Sequence, residues 1–294
     1  MNLVAAFACS HAGLMVTRKG LGAPAREQSI YDAFTRLGEE LVAAEPDAVI
    51  IFATDHQTIY QLDHVPAFTI GVSAIARGLG DAGIEARDYP INQEVARLLL
   101  AGSLAAGVDL AFSEDMGIDH SFVTPLRLAL GERTLPIVPV IQNCNVPPRP
   151  VLRRSHQLGR IFREVLAGSG ARIAVIGTGG LSHWVGSPQR QAFMRQPAGT
   201  RLSTMHEYPV TLEATGRINE EFDRKLLAVT GSGGWDEIAG WSPDDIEDRA
   251  GNGAHEIRNW LSAAGLAGDA PLTTLAYQAI PEWLTGTAVA RFEL

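Results

Sequence analysis

Ala48-Val49-Ile50-Ile51-Phe52-Ala53-Thr54-Asp55-His56-Gln57 opens on six apolar residues in a row and turns abruptly polar. The run is short for a helix and lacks the alternation of a half-exposed strand, so it predicts a strand over Ala48–Ala53 buried on both faces, as in a parallel sheet. Two further stretches repeat the arrangement. Leu3–Cys9 leads into Ser10-His11, and Arg172–Gly177 leads into Thr178-Gly-Gly-Leu-Ser-His183. Other strand candidates are Phe68–Val72, Asp109–Phe112 and Pro136–Ile141.

Helical spacing fills the intervals at Arg26–Ala44, Gln93–Ala105, Thr124–Leu130 and Pro150–Ala167. In the last of these Leu152, His156, Leu158, Ile161, Phe162 and Val165 line one face. Strands alternating with helices predict the α/β class, with a central mixed or largely parallel sheet flanked by helices in a single domain over residues 1–294. A polar stretch, Pro188–Tyr208, reads as a surface excursion serving as a lid or an oligomer contact. Ile218–Val229, Pro243–Asp248 and Ala254–Ala264 make the C-terminal third mostly helical.

Composition narrows the function. Twenty-four Lys and Arg against 33 Asp and Glu leave a formal net charge of -9, which repels a phosphate backbone and argues against nucleic acid as a partner. The apolar runs Val49–Ala53 and Ile173–Ile176 fall far below the roughly 20 residues that span a bilayer, so no membrane segment is expected. The N-terminus lacks the basic start of a signal peptide, and the expected location is the cytoplasm. Cys9 and Cys144 form no CxxC pair and are expected to be buried thiols.

The histidines carry the chemical signal. His11, His56 and His183 each follow a strand candidate, and His120, in Gly-Ile-Asp-His-Ser-Phe, opens a helical stretch after another. In open α/β sheets ligands bind beyond the carboxyl ends of the strands, where side chains distant in sequence converge. His64, His156, His206 and His255 lack this placement and read as ordinary structural histidines. Two imidazoles and one carboxylate on one face suit iron(II), leaving positions open for substrate and oxygen. Asp55 and Asp119 each precede a histidine, and neighbours in extended chain point opposite ways, which makes them outer hydrogen-bond partners. Glu256, in Gly253-Ala-His-Glu256-Ile-Arg-Asn-Trp260, borders the apolar stripe Ile257, Trp260, Leu261 and Ala264. By spacing alone it is equally a first-turn glutamate favoured by the helix dipole.

Taken together, Ser10-His11, Thr54-Asp55-His56, Ile118-Asp119-His120 with Pro125, Gly177-Thr-Gly-Gly-Leu-Ser-His183, Gly253–Trp260 and Ile280-Pro-Glu-Trp283 resemble the motifs of the class III extradiol dioxygenases, in order and nearly end to end. The resemblance implies Fe(II) bound by His11, His56 and Glu256, acid/base roles for His120 and His183, a small aromatic diol and O2 as reactants, and a homo-oligomer. The segment from Gln189 to Asn219 departs most from the pattern, which leaves open the substrate's side chain. Rival readings are ring opening of an aminophenol or of a protocatechuate- or gallate-type compound, a silent metal-binding relative, and a zinc hydrolase. Substrate screening and metal analysis separate them.

Overall fold

The chain, described by a computed structural model over residues 1–201 and 217–294, carries eleven strands in two sheets. In chain order the elements begin β1 (Asn2–Cys9), α1 (Leu14–Thr17), α2 (Pro24–Ala43), β2 (Ala48–Thr54), β3 (Phe68–Gly71), β4 (Ile75–Gly78) and β5 (Asp88–Pro90). They continue with α3 (Gln93–Ala105), β6 (Ala111–Ser113), β7 (Gly117–Ile118), α4 (His120–Leu130), β8 (Ile137–Gln142), α5 (Leu152–Leu166) and β9 (Arg172–Thr178). The rest are α6 (Pro188–Met194), α7 (Glu220–Gly231), α8 (Trp235–Ala239), α9 (Pro243–Ala250), α10 (Ile257–Ala267), β10 (Leu272–Ile280) and β11 (Thr285–Phe292).

The large sheet has the order β10-β11-β1-β9-β2-β8-β3-β6. Its centre, β1-β9-β2-β8, is parallel, with Cys9 opposite Thr178 and Thr54 opposite Gln142, so these strands end at one edge. Every residue of β2 is buried, as its uninterrupted apolar run requires. Helix α2 covers one face with Ile30, Phe34, Leu37 and Leu41, spaced three or four apart. On the other face α10 is buried along its whole length, with α5 packed outside it.

The two helices meet backbone to backbone. A Cβ on Gly159 of α5 would lie 1.9 Å from the Ser262 carbonyl oxygen of α10, and one on Gly265 would lie 2.4 Å from the His156 carbonyl oxygen. Only glycine permits that approach.

Several boundaries differ from the sequence expectation for physical reasons. Helix α4 begins at His120 rather than Thr124, because the Asp119 side chain accepts the Ser121 N–H at 2.9 Å and caps it four residues earlier. The helical C-terminal third ends in the antiparallel pair β10–β11, whose strands were not anticipated; a turn at Pro281–Trp283 with Leu284 at φ 63° joins them. The short strands β4, β5 and β7 form the second sheet. Within the polar excursion, Pro188–Met194 is helical and residues 202–216 lie outside the described part. Both cysteines are buried thiols, and burial pushes Cys144 up to about 12.

Candidate metal and proton-transfer site

At the carboxyl edge of the parallel strands, three side chains from distant parts of the chain point at one another. His11 leaves β1, His56 leaves β2, and Glu256 ends the 3-10 turn Asn252–Glu256 that delivers the chain into α10. His56 Nε2 lies 3.2 Å from Glu256 Oε1, and His11 Nε2 lies 3.3 Å from Oε2. The other nitrogen of each ring is engaged: His11 Nδ1 is 3.1 Å from Thr178 Oγ1, and His56 Nδ1 is 2.9 Å from Asp119 Oδ2. Each imidazole therefore turns Nε2 inward, the nitrogen a metal would bind. Asp119 Oδ2 also accepts the main-chain N–H of His56, while Oδ1 accepts from Ser121. Asp55 instead accepts the N–H groups of Thr58, Ile59 and Tyr60 and shapes the loop after β2.

His120 and His183 complete the group. The His120 ring stacks on His56 at 4.1 Å between centroids and meets His11 edge-on at 5.9 Å. One ring nitrogen from each of His11, His56 and His120 falls within 4.8 Å of the others. His183 Nε2 lies 3.8 Å from Glu256 Oε2, and its Nδ1 is 3.2 Å from the Leu181 carbonyl oxygen. Glycines make room for it: a Cβ on Gly253 would lie 2.1 Å from His183 Nε2. Thus all five residues singled out by the sequence come together.

Charge at the centre favours a cation. Burial acts to raise Glu256, but the attraction of His11, with hydrogen bonds to His11 and His56, outweighs it and holds the carboxyl well below its usual range. Burial pushes His11 down, against the pull of Glu256. His56 is opposed by burial yet held well above its ordinary value by Asp119 and Glu256. Two buried carboxylates thus favour positive charge at His56, as they would favour a metal ion between them.

Three supporting contacts had no signal in the sequence. The Gly180 N–H donates to Glu256 Oε2 at 2.7 Å. Asp81, in a Gly-Asp-Ala-Gly turn that reads as an ordinary loop, makes a short hydrogen bond to His120 Nδ1. Asp223 of α7 secures the loop before His183: Oδ1 accepts the Ser182 N–H at 2.8 Å, and Oδ2 accepts the hydroxyls of Ser182 at 2.8 Å and Tyr277 at 2.9 Å.

Burial pushes Asp223 from 3.8 up to about 6, against the pull of those hydrogen bonds. Because its folded value is the higher one, its contribution to stability is full below about pH 4 and is lost as pH rises through about 6, by about 3 kcal/mol. Urea unfolding of Asp223→Asn should show this variant gaining on the parent as pH rises from 4 to 7. A difference independent of pH would refute the assignment.

The remaining histidines do structural work where they are described. His156 Nε2 is 2.5 Å from Asp269 Oδ1, His255 Nε2 is 3.0 Å from Glu247 Oε2, and His64 lies edge-on to Tyr60. His206 lies outside the described residues.

Known proteins resemble the chain along most of its length. Residues 5–289 match the LigB family, described as the catalytic LigB subunit of aromatic ring-opening dioxygenase. A 2,3-dihydroxyphenylpropionate/2,3-dihydroxicinnamic acid 1,2-dioxygenase of a Rhodococcus species is 32% identical, covering 98% of this chain and 98% of that protein. One of the same name from Photorhabdus laumondii is 31% identical over 95% of this chain and 94% of its own length. An uncharacterized Escherichia coli K12 protein of known crystal structure shares the fold, with a TM-score of 0.56, 12% identity, and coverage of 99% of this chain and 100% of that one. A site assembled from all parts of the chain, matched along nearly its whole length, places the protein in the LigB family of aromatic ring-opening dioxygenases.

Proposed function

We propose that one catalytic domain over residues 1–294 is an Fe(II)-dependent extradiol dioxygenase, in which His11, His56 and Glu256 hold the metal and His120 and His183 handle protons. The observation that carries the reading is the convergence of two inward Nε2 atoms on one buried carboxylate at 3.2 and 3.3 Å. Donors bound to one ion at about 2.1 Å on adjacent octahedral corners sit about 3 Å apart. His11 Nε2 is buried with Glu256 Oε2 beside it at 3.3 Å, the placement of a nitrogen aimed at an ion shared with that carboxylate. Two imidazoles and a carboxylate suit iron(II) with a face left open.

When bound, iron supplies the centre at which the diol and dioxygen meet and through which electrons pass between them. The protein's part is positioning and proton transfer. A carbonyl only accepts, so the Leu181 oxygen keeps the ring proton of His183 on Nδ1 and leaves Nε2 basic. Nε2 takes a proton from the diol. His120, stacked on His56, gives a proton to an oxygen as the ring opens next to the diol and both atoms of O2 enter the product.

His120→Ala and His183→Ala should keep their metal and lose about 10²–10⁴-fold in turnover, the usual cost of removing an acid or base. Metal analysis beside oxygen uptake checks this; loss of metal from either variant would contradict the division of roles.

The substrate class proposed is a 2,3-dihydroxyphenyl compound with a short acidic side chain, supported by the names of the relatives. Protein loaded with Fe(II) under anaerobic conditions and given 2,3-dihydroxyphenylpropionate should consume oxygen and form a yellow product. Preference for protocatechuate, gallate or 2-aminophenol would reassign the substrate, and no oxygen uptake with any of them would defeat the reading. No helix among the described residues is long and apolar enough to cross a membrane. A cytoplasmic homo-oligomer is the form proposed, to be read by light scattering and fractionation.

A further inference from the structure

We propose that Asp81 is the positioning residue of His120, fixing which ring nitrogen takes part in proton transfer; the proposal rests on the role given to His120 above. His120 is the first residue of α4, and backbone alone does not set its ring. Two contacts do. One ring face lies on His56, and Nδ1 is bound by the Asp81 carboxylate. A carboxylate accepts only, so Nδ1 keeps its proton throughout, and the proton that the doubly protonated ring gives up is the one on Nε2, leaving the neutral Nδ1–H form.

The turn that presents Asp81 is built for the purpose and strained by it. Gly80 at φ 74°, Ala82 at φ 51° and Gly83 at φ 75° surround it, all in the left-handed region, and Ala82 is not a glycine. Strain of this kind persists where surrounding structure enforces it, and it gathers at functional sites. Here the enforcing structure is identifiable. The turn follows β4 of the small sheet and closes on the loop after β1, where a Cβ on Gly13 would lie 2.8 Å from Ala82 Cβ and 3.7 Å from His120 Cδ2. Gly13, two residues beyond His11, therefore lets the Asp81 turn sit against the metal site. The small sheet, with no metal donor of its own, gains a role in holding the proton donor.

The test is a double-mutant cycle on the Fe(II)-loaded protein with 2,3-dihydroxyphenylpropionate as probe. Asp81→Ala should keep its metal and its KM within about twofold and lose kcat about 10–100-fold, the range of an outer partner of a site histidine. In the His120→Ala background the same change should cost less than about twofold, because its target is gone. Asp81→Asn keeps the shape of the turn but offers an amide that donates to Nδ1, leaving a neutral Nε2–H ring that can give up its proton only by becoming an anion; it should lose kcat as well, and it serves if Asp81→Ala melts early. Equal losses in both backgrounds, or full kcat in either Asp81 variant, overturn the proposal while leaving the role of His120 standing. Full turnover in His120→Ala overturns both.

Discussion

Glu256→Ala should abolish metal binding and ring opening together. The carboxylate is buried, held well below its ordinary range, and offers one oxygen to His56 and the other to His11 and the Gly180 N–H. Alanine removes the anionic donor and leaves two imidazoles alone at the centre. An outer partner such as Asp119 would cost about 10–100-fold in affinity, and a donor should cost more. Metal content after Fe(II) loading and dialysis, with oxygen uptake on the diol, measures both effects. A circular dichroism spectrum guards against unfolding, since Gly180 loses its acceptor. Glu256→Ala with full metal and turnover would leave the proposed triad without support. His11→Ala and His56→Ala should behave alike.

Gly159→Val should unfold a large part of the stability margin without touching the site. The Ser262 carbonyl oxygen occupies the space of a Cβ at this position, and Gly265 repeats the contact from the other helix. Neither backbone can yield cheaply, because α10 is wedged between α5 and the sheet: a Cβ on Gly177 of β9 would itself lie 2.6 Å from the Asn259 carbonyl oxygen. Overpacking a core by added methyl groups costs about 1–3 kcal/mol, and a clash with main chain belongs at or above the top of that range. Against a typical 5–15 kcal/mol total, about 3 kcal/mol is a severe loss. Urea midpoints should fall with the slope unchanged. A midpoint equal to the parent's would show that α5 and α10 can separate freely.

The sheet centre and the histidines were legible because both depend on local pattern. Buried parallel strands are unbroken apolar runs, and a polar residue just beyond such a run lies at the strand's carboxyl end, as His11, His56 and His183 do. Glu256 was different. First-turn glutamate and metal ligand look the same in spacing, and only the family resemblance favours the second; the structure sets its two oxygens against His11 and His56. Asp81 and Asp223 were invisible, since each acts on a residue more than 35 positions away through a turn or helix with no chemical motif. Strands β10 and β11 were overlooked for another reason. Their Thr, Ala and Gly content gives little apolar contrast, and their partner is each other and β1 at the far end of the chain.

His56 and Glu256 are 200 residues apart in sequence. A chain emerging from the ribosome therefore displays both imidazoles long before the carboxylate, and loops carrying only those two hold a metal weakly and invite oxygen chemistry with no substrate in place. Because Glu256 sits at the N-cap of the helix that completes the core, metal capture by the proposed triad would be a late event in biosynthesis. With iron as the proposed metal, nascent or truncated chains should accordingly escape oxidative self-damage, because a redox-active ion would enter only after the polypeptide has closed around its place.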